Sequence, residues 1–439
     1  METLQASPEW KVLLDPFQSL FTKPGYRLFC AFVMALAHLD RRLCVTQVVL
    51  SSGLERHFTC FHKFLSRARW SEKAVRQKLF ELCLSRCVEN GRLFAELDDT
   101  VCKKHGRKFE SLGIHHDPMN RDHPRQLSRG HCFVCLALIG KPIVNHCVAL
   151  FIGCALYVQK SVRLVQQQAA EATNKRVPAF ATKLELAAKL MLELPSPPGV
   201  LFIAVADGAY ARKAFVKEVV ASKRHVLSRL RSDTVFYDLP PARKRGANGK
   251  YARGRGRKYG KKHKAREWAA ALGTWHTVTL TLYGKEETLR LKTRVVIQRA
   301  LGVRIRLVAV TWGDRAMVFL FCTDTTLSKE EVVCAYCARF SIETGFRDSK
   351  ESFGLETYQV RKEQSIVRLV HLCLWAQTLL RLRCWNHKPQ PIYGSWRKTL
   401  GYLTLSQQKR LSQQECRISA SLLQGASTAG NSGIEAIAA

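Results

Sequence analysis

Carboxylates are scarce in this chain. Of its 439 residues only 35 are Asp or Glu, against 70 Lys or Arg, and the formal charge is +35. That excess is beyond what solubility requires and points to a polyanionic partner, nucleic acid ahead of an anionic membrane surface. Long apolar runs are missing as well. The most apolar region, His131 to Val158, is broken by Lys141, Pro142, Asn145 and His146, so neither half reaches the roughly 20 residues a membrane helix needs. Two buried strands are expected there, and no membrane partner. The opening METLQASPEWKVLLDPF has acidic residues and Pro where a secretory signal would carry an apolar stretch. A cytoplasmic protein is expected, with its sixteen scattered cysteines reduced. The Cys132/Cys135 and Cys334/Cys337 pairs read as inert thiols ahead of a zinc site. No repeat of solenoid length is present.

What is there divides by texture. Residues 1–90 show apolar positions at three- and four-residue steps, as in YRLFCAFVMALAHL and EKAVRQKLFELCLSRCV, and predict helices. Basic, aromatic-bearing segments between them suit a DNA-binding unit, although plain helical packing fits equally. Over 91–222 short runs such as LFAELDD, CFVCLALIG, VNHCVALFIGCALYV and GVLFIAVAD predict buried strands of a mixed α/β core, with a helix at TKLELAAKLMLEL. Residues 223–330 combine a basic, carboxylate-poor run with four β-like segments of alternating faces, a β-rich insertion. The RGRGRK stretch, in which Arg253, Arg255 and Arg257 alternate with Gly254 and Gly256 ahead of Lys258, is expected to meet DNA phosphates. Residues 331–400 read as further core helices, and 401–439 as a partly disordered tail.

Two carboxylate sites stand where strands end. LFAELDDT delivers Asp98 and Asp99, and VLFIAVADGAYA delivers Asp207; in open α/β sheets chemistry gathers at such ends. Successive strand residues face opposite sides, so only one of Asp98 and Asp99 can point into a site. Lys103 and Lys104 follow closely enough to reach a phosphate. His115, His116 and Asp117 read as a solvated loop, and Trp312 as a core residue with base stacking as the alternative. In YCARFSIETGFRDSK, Tyr336, Arg339, Glu343 and Lys350 fall within an arc of about 60° if the segment is one helix, beside an apolar seam of Ile342, Phe346 and Phe353. Carboxylates converging in so basic a chain would suit hard divalent cations.

An Asp in D-D-T after a strand, an Asp in D-G-A-Y after another, and a helix with Y-x2-R-x3-E-x6-K resemble, in that order, the DDE transposases of bacterial insertion sequences, in the subgroup with the Tyr-Arg-Glu-Lys signature. The resemblance spans most of residues 30–385. It implies a ribonuclease H-like core with a β-rich insertion, and two Mg²⁺ ions, replaceable by Mn²⁺, held by Asp98, Asp207 and Glu343. The family's D-x-T spacing favours Asp98, with Asp99 as the alternative. It further implies DNA contacts by Tyr336, Arg339 and Lys350 beside Arg347, terminal inverted repeats and target DNA as substrates, a synapsed homodimer, and a nucleoid-associated bacterial location. A DNA-binding relative that no longer cuts, or a ribonuclease H-type nuclease outside transposition, remain open.

Overall fold

The computed structural model describes residues 7–39, 44–143, 146–171, 177–242, 255–387 and 403–416. Its amino-terminal region is helical, with α1 (Pro8–Leu14), α2 (Lys23–His38), α3 (Val45–Ser51), α4 (Thr59–Ser66) and α5 (Glu72–Cys87). Local chemistry sets the starts: the Thr22 hydroxyl accepts from Gly25 N–H ahead of α2, and the Ser71 hydroxyl from Ala74 N–H ahead of α5. Buried rings of Phe29, Phe32, Phe61, Phe64 and Trp70 fill the space between these helices.

The core follows as β1 (Arg92–Lys103), β2 (Gly113–His116), β3 (Leu127–Ile143), β4 (His146–Tyr157), α6 (Lys160–Glu171), α7 (Lys183–Leu192), β5 (Leu201–Ala206), α8 (Lys213–Ala221) and β6 (His225–Leu230). Next come β7 (Val235–Tyr237), β8 (Lys262–Lys264), α9 (Ala265–Ala270), β9 (His276–Leu282), β10 (Lys285–Gln298), β11 (Val303–Thr311) and β12 (Val318–Cys322). Three helices close the core, α10 (Lys329–Ala338), α11 (Phe340–Ser352) and α12 (Glu363–Arg383).

All the described strands belong to one mixed sheet, in the order β2-β3-β1-β5-β6-β12-β11-β10-β7-β8, with β4 also on β3 and β9 also on β10. The ladders β1–β5 and β5–β6 are parallel, and the remaining ladders are antiparallel. Parallel neighbours require crossovers; α8 provides one between β5 and β6, and α7 lies on the path from β4 to β5. This mixed α/β architecture is consistent with a ribonuclease H-like nuclease core. The β-rich insertion does not stand apart, because β12 pairs with β6 and carries the core sheet straight into it.

Helix α12 runs through the middle of the apolar interior. It is the one described helix long and apolar enough to cross a membrane, and 89% of its most apolar window is buried inside the protein. Arg368 ties the amino-terminal helices to it. Its guanidinium donates to the carbonyls of Phe64, Leu65, Ala68 and Trp70 and to the Glu72 carboxylate, while lying over the Trp70 ring. Residues 405–416, inside the expected tail, are helical and packed. There Ser412 bridges Trp10 and His38, and Lys409 donates to the carbonyls of Leu39 and Ser352. The final residues of the expected tail lie outside the described residues.

Candidate active site

Asp98 and Asp207 become neighbours through strand register. In the parallel pair, Arg92 lies beside Leu201 and Leu97 beside Ala206. The ladder stops there: β1 runs on through Asp98 to Lys103, so Asp98 is not at a strand end, while Asp207 follows directly past the end of β5, near enough for its charge to act on Asp98. Past β5 the chain turns: Asp207 accepts from Ala209 N–H, opening a short 3₁₀ turn at Gly208–Tyr210, and the Ser228 hydroxyl of β6 holds the Asp207 carbonyl.

Glu343 reaches this pair through Arg339. The Arg339 guanidinium donates to Asp98 Oδ2 at 2.9 Å and to Glu343 Oε1 at 2.8 Å, bridging the two carboxylates. Asp98 is largely enclosed, with 19% of its side chain exposed, whereas Glu343 is open at 43%. Burial pushes the Asp98 carboxyl up to about 7; the Arg339 charge opposes that rise, and the charges of Asp207 and Asp99 add to it.

The signature segment is two helices, not one. α10 ends and α11 begins at Arg339, whose backbone keeps right-handed helical angles (φ −52°, ψ −25°). The helical periodicity therefore reads across the junction, and the Arg339–Glu343 pair forms at the i,i+4 spacing. A Ser328/Glu331 capping box starts α10. Ile342, Phe346 and Phe353 are buried as the expected seam, with Phe346 stacked on Phe151 of β4. Gly345 permits that approach, since a Cβ there would meet the Phe151 ring at 2.8 Å. Tyr336 is half-buried, with the Arg339 guanidinium 5.8 Å from its ring centre.

A residue that sequence reasoning missed lies at the foot of the site. Glu96 is wholly buried, and its two oxygens accept from Ser341 Oγ and Ile342 N–H at the start of α11. Burial raises its carboxyl to about 8, with those two hydrogen bonds opposing the rise. The available signal was a second carboxylate on the Asp98 face of an otherwise apolar strand.

Asp99 faces the other side of the sheet. It pairs with Lys183 of α7 at 2.7 Å, beside the Cys132 thiol and the Tyr210 hydroxyl. His115 is buried on β2, not in a solvated loop. Burial first, then the Lys183 charge, lowers its imidazole to about 4, and its Nε2 has no hydrogen-bond partner among the described residues. The unfolded chain, with an ordinary histidine near pKa 6.5, takes up a proton that the folded chain refuses. Stability is therefore expected to fall as pH drops from about 6.5 toward 4, and His115→Leu to flatten that part of the curve of urea midpoint against pH. A variant curve superimposable on the wild type would refute this.

The expected phosphate contacts separate into open and occupied groups. Arg347, Arg255, Arg257 and Lys258 are exposed, and Arg253 lies outside the described residues. Lys103 is accessible beside Asp117, at 3.4 Å. Lys104 is buried: its ammonium donates to the carbonyls of Glu356 and Tyr358 and sits 3.5 Å from the centre of the Tyr358 ring. Lys350 donates to the Val101 carbonyl at 2.9 Å and pairs with Glu356 at 2.7 Å, so in this state it is committed to the protein. Trp312 is partly exposed and packs against the edge of the core. Its indole N–H donates to Glu287, its ring lies parallel to Tyr283, and Arg315 lies 4.2 Å from its centre.

Among the described residues no three His, Cys, Asp or Glu side chains converge closely enough to grip an ion. Between Asp98 and Glu343 the positive charge is supplied by Arg339. The donor chemistry nonetheless suits a hard divalent cation: Asp98, Asp207 and Glu343 offer only oxygen, with no thiol or imidazole among them. A cation already spans two of the three, so the place fits a metal ion once the guanidinium yields it. A family model described as DDE superfamily endonuclease matches residues 24–287, more than half of the chain. The match includes Asp98 and Asp207 and ends before α10 and α11. No curated protein matches the chain.

Proposed function

This chain belongs to the DDE superfamily endonuclease family, and from that premise we propose that it is the transposase of a bacterial insertion sequence, cutting DNA at its element's terminal inverted repeats and joining the freed ends to target DNA. The observation that carries this reading is that Asp98, in mid-β1 just past the last parallel pair, and Asp207, just past the end of β5, lie close enough for their charges to act on each other, with Glu343 tied to Asp98 through Arg339.

Asp98, Asp207 and Glu343 would hold two Mg²⁺ ions, which supply Lewis-acid activation and charge neutralisation at a phosphodiester. Asp98, enclosed by the sheet and α11, excludes bulk water from one side, while the more open Glu343 leaves room for DNA. Arg339 is poised to exchange its carboxylate partners for a backbone phosphate, alongside Tyr336 and Arg347, and Lys350 would join once its bond to Glu356 breaks. Water attacks the scissile phosphorus and the O3′–P bond breaks, leaving a 3′-hydroxyl; that hydroxyl then attacks a target phosphodiester in line, forming one O–P bond as another breaks. Lys103, Arg255, Arg257 and Lys258 would track the backbone, with Arg253 extending their run. Trp312 is the candidate stacking surface for an extruded base. A homodimer on the paired ends, working in the nucleoid, completes the proposal.

The test is incubation with a duplex spanning the element's boundary. Nicking at the boundary in Mg²⁺ or Mn²⁺, with a 3′-hydroxyl product and none in EDTA, supports the reading. Specific binding without cutting in either metal would identify a DNA-binding relative, and cutting of RNA–DNA hybrids without end preference a ribonuclease H-type nuclease. Duplex binding should also weaken steeply with salt: each phosphate neutralised contributes about −0.9 to the slope of log K against log salt. A fluorescence-anisotropy series is expected to give a slope steeper than about −5, and a flat response would refute phosphate binding by the basic surface.

A further inference from the structure

One carboxylate on β1 takes no direct part in that chemistry. Glu96 stands two residues before Asp98, on the same face of the strand, and has no exposed surface. Both of its oxygens are aimed at the first turn of α11. Ser341 Oγ donates to one at 2.8 Å, and the Ile342 N–H to the other at 2.9 Å. First-turn N–H groups lack the i−4 acceptor of the helix interior and carry the positive end of the helix dipole; the Ile342 N–H is shared between Glu96 and, at 3.2 Å, the Arg339 carbonyl. The residue at the α10–α11 junction, Arg339, provides no side-chain cap, so the cap comes from a strand far away in sequence. Glu343 follows Ile342 directly.

We propose that Glu96 is a positioning residue: by capping α11 from the strand that bears Asp98, it fixes the height of Glu343 against Asp98 and Asp207. At the α10–α11 junction the Arg339 side chain ties Glu343 to Asp98, and Lys350 ties the far end of α11 to Val101 of β1. Glu96 adds the hold on the helix backbone itself, at its first turn, and the close fit of Gly345 on Phe151 limits how far the rest of α11 can move. This rests on the reading that the three carboxylates bind the divalent ion. Misplacement of a reacting group by about 1 Å can cost on the order of 100-fold in rate, so a lost cap should appear in turnover and cation affinity while leaving DNA affinity alone.

The experiment compares wild type, Glu96→Ala, Glu96→Gln and Ser341→Ala, full length and confirmed folded by circular dichroism. Mn²⁺ half-saturation is read by water-proton relaxation without DNA, duplex Kd by anisotropy, and kcat by nicking. Glu96→Ala is expected to raise Mn²⁺ half-saturation about 10-fold and lower kcat by roughly 10- to 100-fold, with duplex Kd within about 2-fold. Glu96→Gln keeps an oxygen for Ile342 N–H and an amide that can donate to Ser341 Oγ, so it should stay within about 3-fold of wild type. Ser341→Ala removes one of the two bonds and should fall between. Wild-type half-saturation in folded Glu96→Ala overturns the proposal, as does equal impairment of Gln and Ala, which would make charge and not acceptor geometry the cause. Should Glu96→Ala not fold, an unshifted Ser341→Ala overturns it. A wild type that binds no Mn²⁺ is a separate outcome: it removes the metal-site reading itself, and this inference with it.

Discussion

Asp98→Asn is expected to abolish end cleavage, slowing it by at least about 10³-fold, whereas Asp99→Asn, one residue along, keeps it within about tenfold. The contrast follows from strand alternation. Asp98 faces α11 and shares its surroundings with Arg339, Glu343 and Asp207. Asp99 lies behind the strand against Lys183, Cys132 and Tyr210. Its loss removes a partly exposed ion pair, worth about 1 kcal/mol of stability or less. Asp207→Asn and Glu343→Gln should behave like Asp98→Asn, each retaining duplex binding. Single-turnover nicking on gels, with binding measured in Ca²⁺, decides the matter. An active Asp98→Asn beside a dead Asp99→Asn would reverse the assignment.

The second large effect concerns stability. Arg368→Ala should cost on the order of 3–5 kcal/mol, because it strips a buried charge from the Glu72 carboxylate and removes the guanidinium donor from four carbonyls, of which Phe64 keeps the Trp70 indole N–H. Those carbonyls close the turn between α4 and α5, so that turn should be the first place to open. Limited proteolysis near residues 64–72 and the urea midpoint should both report it. Arg368→Lys is not expected to rescue, since an ammonium cannot span five acceptors arranged around a planar fork. Wild-type stability in Arg368→Lys would show that the network contributes little.

Much of this architecture was legible in the residues. The apolar runs before Asp98 and Asp207 became β1 and β5, although β1 continues past Asp98 to Lys103 instead of ending there; the interrupted apolar region became β3 and β4, and the alternating segments of the insertion became β9 to β12. Each is a local pattern with a period of two or a bounded apolar run, which is what short-range physics can show. The strand β6 was not singled out, because HVLSRL alternates weakly within a basic stretch. Lys104 and Lys350 were expected to reach DNA phosphates; instead each is held by carbonyls far away in sequence, Lys104 by Glu356 and Tyr358 and Lys350 by Val101, which no local pattern shows. The break at Arg339 was invisible for a different reason. Its dihedrals remain helical, so nothing in the side-chain period marks the boundary between the two helices.

The parallel pairing of β1 with β5 also determines which changes in the gene this enzyme can absorb. Insertions or deletions in the connection between the two strands, outside β2, β3 and β4, which it also contains, alter the count of residues from Asp98 to Asp207 without altering who sits beside whom. A shift of a single residue within β5 does the opposite: it leaves the count nearly intact, sets Ala206 or Gly208 beside Asp98, and turns the Asp207 side chain to the far face of the sheet. Related chains should therefore differ freely in the loops of that connection while keeping the phase of the strands, and a screen of random indels should recover function from those loops and lose it from the strands.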